Sequence, residues 1–327
     1  MRKINRYPKM RIRSKNELSK RISGIKLVQK DALNLINIVL NNYDKYWHDV
    51  KAISEPEKNK FVRSAKNTPL EKLLRLINDK ILAPHDDIIP EFIFGGISKR
   101  NHIQAAYYLL GFQRKRTKLS LDIYRFFEQT HRNRVFYFFK NKCECSEKAS
   151  NLLADLCCVP FGPKGSKEEK VLARGFSTSS RLALWCNLDL FLRIYWEAKK
   201  YLKNKDVRIA IFVDDIGITA SNTSKADMEG LADKIEKILL DYDPNQKLRL
   251  NDKKDIKLWS DKRVEHLGLS LGRNKITPGA KTKSKKDRVG NKLKNKNILP
   301  EDRIKLVKKK KSYKNYSNYI KSMKNEN

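Results

Sequence analysis

Residues 209–221 read IAIFVDDIGITAS, an apolar run broken at its centre by two adjacent carboxylates, Asp214 and Asp215. A short, β-branched apolar run is the pattern of a buried strand, where an unpaired charge is expensive and two neighbouring like charges are worse. The arrangement that avoids this cost is a tight hairpin, with RIAIFV and GITAS as its strands and the acids at its turn. Neighbouring side chains in a plain strand point to opposite faces. At a turn both carboxylates can leave the core and project from one end of the sheet, where they call for a positive partner.

The chain has 327 residues, 40% hydrophobic and 9% aromatic, enough for a sizeable core spread over one to three structural units. Lys and Arg number 72 against 37 Asp and Glu, giving a formal charge of +35. That excess points to a polyanionic partner, nucleic acid first. No apolar run approaches the ~20 residues of a spanning helix, and the opening MRKINRYPKM lacks the apolar stretch of a signal peptide. The expectation is a cytoplasmic chain with no membrane partner. Cys143, Cys145, Cys157, Cys158 and Cys186 are an odd count, read as reduced thiols, and CEC and CC lack the paired spacing of a zinc site.

Along the chain, LSKRISGIKLVQKDALNLINIVLNNY repeats apolar residues at helical intervals. TPLEKLLRLINDKIL predicts a helix over 69–82, with Thr68 as N-cap, Pro69 at the first position, Glu71 completing the cap and Pro84 as the stop. A helix follows over 99–110, then a strand TKLSLD delivering Asp122, and a helix containing Phe126 and Phe127. Further helices are expected over 146–157, 178–203 and 225–241, with one strand at VEHLGLSL. From Arg273 onward the chain is Lys-rich, with Tyr313, Tyr316 and Tyr319 interleaved.

Three features stand in order: LDIYRFF (121–127), RGFSTSSRLA (174–183) and FVDD (212–215), followed by LNDKK (250–254) and HLGLSLG (266–272). This order resembles the reverse transcriptases, especially the bacterial retron-type group, over roughly residues 60–272. The resemblance implies an α+β right-hand polymerase. N-terminal helices and fingers would occupy 1–118, a palm with an antiparallel sheet 119–272, and a short, basic, helical thumb 273–327. It implies two-metal nucleotidyl transfer, with Asp122 and Asp214 as ligands of two Mg²⁺ ions and Asp215 as a supporting ligand. Phe127 would lie beneath the sugar and favour deoxynucleotides. Gly175 and Arg174 would border the nucleotide, and Lys254 and Arg63 would reach its triphosphate. Each has a plainer alternative: a polar turn for the Asp pair, core packing for Phe127, solvated cations for Lys254 and Arg63.

The implied activity is copying a cognate structured non-coding RNA into DNA from dNTPs, in anti-phage defence with a separate effector protein. Lys contacts to phosphate and Tyr stacking on bases would serve this at the C-terminal segment. The chain departs from the family pattern at Arg174 for Gln, Ser180 for Pro, Phe212-Val213 for Tyr-Ala and Asp255 for Thr. Two alternatives stay open: an untemplated or protein-primed defence polymerase, and a catalytically silent RNA-binding scaffold.

Overall fold

The computed structural model describes residues 7–111, 116–243, 248–251, 255–258, 264–272, 275–295 and 298–323. Helices α1 (Lys15–Ile22) and α2 (Gln29–Asn41) bury Leu18, Ile22, Ala32, Leu35, Ile36 and Val39 at the three-and-four spacing of an amphipathic face. Short strands β1 (His48–Asp49) and β2 (Arg63–Ser64) pair antiparallel and anchor the loop between them. Helix α3 (Pro69–Ile77) starts as the sequence predicts, with the Thr68 hydroxyl accepting from Glu71 N. It ends earlier. The chain widens into a π turn at Asn78–Leu82 and tightens into a 3₁₀ turn at Ala83–Ile88 that contains Pro84. Proline is tolerated there because an N–H in a first turn has no helical acceptor. Buried Arg181 holds this segment by bonding Asn78 and, at 2.8 and 2.9 Å, both oxygens of Asp86.

Helix α4 (His102–Leu110) opens on a capping box of Asn101 and Gln104, and strand β3 (Arg116–Asp122) follows. Residues 124–129, expected as helix, form turns instead, and α5 (Arg132–Tyr137) begins beyond them. Next come α6 (Glu147–Cys157) and the antiparallel pair β4 (Cys158–Pro160) and β5 (Lys170–Leu172). The single long helix expected over 178–203 is two, α7 (Ser179–Cys186) and α8 (Leu188–Tyr201). Asn187 breaks it: its buried amide donates to Ala183 O at 2.8 Å and to Thr130 Oγ1 at 3.2 Å, while its carbonyl accepts from Arg134. A side chain that satisfies helix carbonyls in this way competes with the backbone ladder.

The acidic hairpin forms as expected, from β6 (Arg208–Phe212) and β7 (Asp215–Ser221), and leads into α9 (Lys225–Tyr242) and β8 (Asp255–Leu258). VEHLGLSL is a hairpin rather than one strand: β9 (Val264–His266) turns at Leu267 and Gly268, both at positive φ, into β10 (Leu269–Gly272). Two positive-φ residues are what a two-residue type I′ loop requires. Strand β11 (Lys275–Pro278), α10 (Ala280–Lys294) and α11 (Pro300–Ser322) complete the described chain.

The central sheet is antiparallel throughout, in the order β6-β7-β3-β8. Its period of two separates two faces. Leu119, Leu121, Ile209, Ile211, Ile216 and Ile218 lie in the main core with α8 and α9. Arg116, Lys118, Ser120 and Asp122, paired with Ser221, Thr219, Gly217 and Asp215, make the other face polar. A second core, including Ile103, Leu109, Val264, Leu269, Leu271, Ile276 and Ile320, joins α4, the β9–β11 sheet and the end of α11 over that side. Among the described residues, no helix is long and apolar enough to cross a membrane. The five cysteines are free and buried.

Candidate active site

The two-residue loop of the β6–β7 hairpin is Val213-Asp214. Val213 has φ +61°, which suits the twist of a tight hairpin but strains a β-branched residue by on the order of 1 kcal/mol. Gly95 packs against this turn so closely that a Cβ there would lie 2.6 Å from Val213 N and 2.7 Å from its Cγ2. Phe94 N donates to Ile211 O at 2.8 Å, tying the Gly95 segment to β6. The turn is therefore clamped from outside. On the neighbouring strand, Asp122 stands in register with Asp215, and Ile123 N donates to Asp214 O at 3.0 Å. Three acids 92 residues apart in sequence (122 to 214) meet at one end of the sheet.

Segment 248–251 runs alongside. Asn251 N donates to Asp122 O at 2.8 Å and its Nδ2 to Asp122 Oδ2 at 2.9 Å, which fixes the carboxylate of Asp122. Asp214 is pushed up from the ordinary carboxylate range by burial and by the Asp122 charge. Burial, then Asp214 and Asp122, push Asp215 up to about 7. Lys118, fully buried on the same face of β3, opposes that rise, and burial brings its own pKa down to about 8. Its Nζ donates to Glu265 O.

Asp122 and Asp214 line a cleft of about 400 Å³ together with Lys58, Lys60, Arg125, Arg174 and Asn251. Lys58 and Lys60 sit on the loop between β1 and β2 and pair with Glu55, Lys60 at 3.0 Å. Arg125 donates to Lys58 O, drawing that loop down over the acids. The Tyr124 ring carries guanidinium carbons of Arg125 at 4.9 Å and Arg249 at 4.3 Å from its centroid.

The other residues singled out by sequence fall as follows. Arg174 lines the cleft and lies over the Phe127 ring, 4.7 Å from its centroid, while Phe127 itself is buried. Arg174 Nε and Nη2 each bond Glu128 at 2.9 Å; burial works against the guanidinium charge, but this pairing outweighs it and raises its pKa. Gly175 has φ +103° and packs on the Arg63 carbonyl, and Arg63 N donates to Arg174 O at 2.7 Å. Arg63 is buried, with its guanidinium bonded to Asp49, Pro160 O and Gly162 O and stacked on Trp47 and Phe61. Lys254 lies outside the described residues. Tyr316 stacks on His102, bonding its Nε2 at 2.9 Å, so it packs on α4, whereas Tyr319 accepts from Asn101 at 3.3 Å but stays exposed.

Sequence reasoning missed Glu128, Asn251, Lys58, Lys60 and Lys118 as site residues. A signal existed for Lys118, which shares the period of two with Asp122, and for Asn251 within LNDKK. None existed for Glu128, whose partner is 46 residues away. Among the described residues, no group of three or more His, Cys, Asp or Glu side chains forms a ready-made metal cage. Mg²⁺ needs fewer protein ligands than that, because waters and phosphates complete its shell. Asp122 and Asp214 on the cleft wall, with Asp215 behind them, are a hard-oxygen donor set that fits it.

No family model matches the chain. It is 25% identical over 185 residues to a retron Ec48 reverse transcriptase of Escherichia coli, an alignment covering 54% of this chain and 41% of that protein. The similarity thus spans about two-fifths of the relative's length.

Proposed function

We propose that this chain is a reverse transcriptase of retron type, an RNA-directed DNA polymerase that extends a nucleic-acid 3′-hydroxyl with dNTPs. The observation that carries the reading is the meeting of Asp122 with Asp214 and Asp215 at the end of an antiparallel sheet, beside a cation-lined cleft. Similarity to a retron reverse transcriptase supports it independently. In polymerase terms the β1–β2 loop belongs to the fingers, the four-stranded sheet to the palm, and α10 with α11 to the thumb.

Two Mg²⁺ ions, held by Asp122 and Asp214 with Asp215 supporting, would lower the pKa of the 3′-hydroxyl and offset triphosphate charge. The protein's part is positioning. Asn251 holds the Asp122 carboxylate in one orientation. Lys58, Lys60 and Arg125 line the side of the cleft that would receive the β- and γ-phosphates. The 3′-oxygen attacks the α-phosphorus, the bond to the bridging oxygen breaks, and pyrophosphate leaves toward those cations. The cognate structured RNA would lie across the Lys-rich α10–α11 hairpin, as template and primer, and a separate effector protein would complete an anti-phage system.

Asp214→Asn is expected to reduce Mg²⁺-dependent dNTP incorporation by about 10³-fold or more while leaving RNA binding nearly intact; incorporation at the wild-type rate would overturn the assignment. A second reading, untemplated synthesis, is favoured by Arg174 and its Glu128 partner, because a bound guanidinium stands where the family carries the Gln that orients the template. Sequencing products against co-purified RNA separates the two.

A further inference from the structure

A second cavity, of about 280 Å³, lies away from the aspartate cleft and shares no lining residue with it. It forms where α5 runs into a π turn at Phe138–Lys142, where α7 gives way to α8, and where α9 ends at Tyr242. Turns of this kind widen a helix and recur at functional sites. Here the widened turn presents Phe138, Asn141 and Lys142 to the cavity, and Tyr7 adds a wall from the N-terminal segment.

Two features set this cavity apart from a packing fault. Trp185 borders it and is 1% exposed, yet its Nε1 has no hydrogen-bond partner among the described residues; a buried indole N–H ordinarily finds an acceptor. The charges of the lining also cancel. Lys142 bonds Asp189 at 2.8 Å and Arg134 bonds Asp243 at 2.6 Å, so an ion gains little by entering. Rings make up much of the rest: Lys142 lies over Tyr7 at 4.6 Å and Arg134 over Tyr242 at 5.0 Å, while Tyr137 lines the same space and is 54% exposed. Such walls suit a flat, neutral group with hydrogen-bonding atoms on its edge, to which Trp185 offers a donor and Asn141 both a donor and an acceptor. A nucleobase is such a group, and every base has a face that stacks on an aromatic ring. A chain of charge +35 draws nucleic acid to its surface.

We propose that this cavity binds a single unpaired nucleobase, stacked on Tyr137 and hydrogen-bonded by Trp185 Nε1, at a site separate from the aspartate cleft. The base comes either from bound RNA or from a free nucleoside, and the test distinguishes them. Adenosine is titrated into the full-length protein in EDTA, followed by saturation-transfer NMR, for the wild type, Trp185→Phe, Tyr137→Ala and Asp214→Asn. In parallel, a short single-stranded RNA carries one fluorescent adenine analogue that stacking quenches. Thermal melting and dNTP incorporation on a supplied primer and template with Mg²⁺ are recorded for each protein.

The expected result is saturable binding that weakens about tenfold in Tyr137→Ala, through lost stacking, and about fivefold in Trp185→Phe, through the lost donor. Asp214→Asn should bind as the wild type does. Quenching of the RNA analogue that Tyr137→Ala relieves identifies an RNA base as the occupant; adenosine binding without such quenching identifies a free nucleoside. Should Trp185→Phe fail to fold, Tyr137→Ala carries the test, because that ring is exposed. A folded wild type that binds neither probe, or folded variants that bind both as tightly as the wild type, would overturn the cavity's role. Incorporation reads the polymerase proposal separately: both cavity variants should keep the wild-type rate, and a wild type that incorporates no dNTP yet binds the base would sink that reading alone.

Discussion

At the scale of single residues, the site is held by contacts that leave no spare room. Asp214 can stand in a two-residue loop only because Val213 accepts positive φ, and Val213 is kept there by Gly95. The neighbouring backbone cannot yield as a flexible side-chain tip would. Gly95→Ala is therefore expected to cost about 2–3 kcal/mol in chemical denaturation or, if the hairpin shifts instead, about a hundredfold in incorporation. Wild-type values in both assays would show that the turn is not clamped at this point. Behind the acids, His266 is buried, its Nε2 directed at Gly217 and without a hydrogen-bond partner among the described residues. Burial, aided by the facing Lys118 charge, pushes its pKa well below the ordinary 6.5. Below that pH the unfolded chain takes up a proton that the folded chain refuses, so folded stability falls as pH drops through 6.5. The slope approaches about 1.4 kcal/mol per pH unit. His266→Leu should remove this component, which is visible as a smaller loss of denaturation free energy between pH 7 and pH 5 than in the wild type.

At the scale of elements, local signals were legible and distant ones were not. The start of α3 and the acidic hairpin are written in adjacent residues, Thr68-Pro69 with Glu71 and the Asp pair inside an apolar run, and both stand where the sequence places them. The expected helix through Phe126 and Phe127 fails because the backbone there turns to bring Tyr124 N to Arg249 O and Arg125 to Lys58 O, contacts no local pattern encodes. The break at Asn187 likewise depends on Arg134 and Thr130, more than 50 residues away. Of the tyrosines in α11, Tyr319 stays exposed although Asn101 bonds its hydroxyl, while Tyr316 is held by His102 at the start of α4, and His102 also meets Phe212 edge-on at 6.4 Å. The end of α11 is thus seated on the back of the acidic hairpin. Tyr316→Ala should loosen that seat by about 1–2 kcal/mol. Faster hydrogen exchange along α11, with β3 and β7 unchanged, is the expected signature; uniform loss across both would mean that the helix and sheet unfold as one unit.

At the scale of the whole molecule, a charge of +35 is not spread evenly. Acidic residues are mostly paired: Glu55 with two lysines and Glu128 with Arg174 beside the site, and Asp206 with Arg116 and Arg208 at the opposite end of the sheet. The α10–α11 hairpin instead carries lysines in excess, and Lys308, Lys309, Lys310 and Lys311 are all exposed. Four consecutive helical positions, about 100° apart, point around the whole circumference rather than along one face, so they cannot all serve packing. Under the proposed function they would neutralise phosphate, and each neutralised phosphate releases condensed counterions and steepens the salt dependence of binding by about 0.9 for a duplex or about 0.7 for a single strand. Replacing all four with Gln should therefore flatten the log affinity against log salt plot for structured RNA by up to about three, measured by fluorescence anisotropy. Asp214→Asn should leave that slope unchanged, because its carboxylate lies in the cleft and not on the hairpin. An unchanged slope in the Gln variant would move RNA binding off α11 while leaving the aspartate site untouched, which is how the two halves of the molecule can be tested apart.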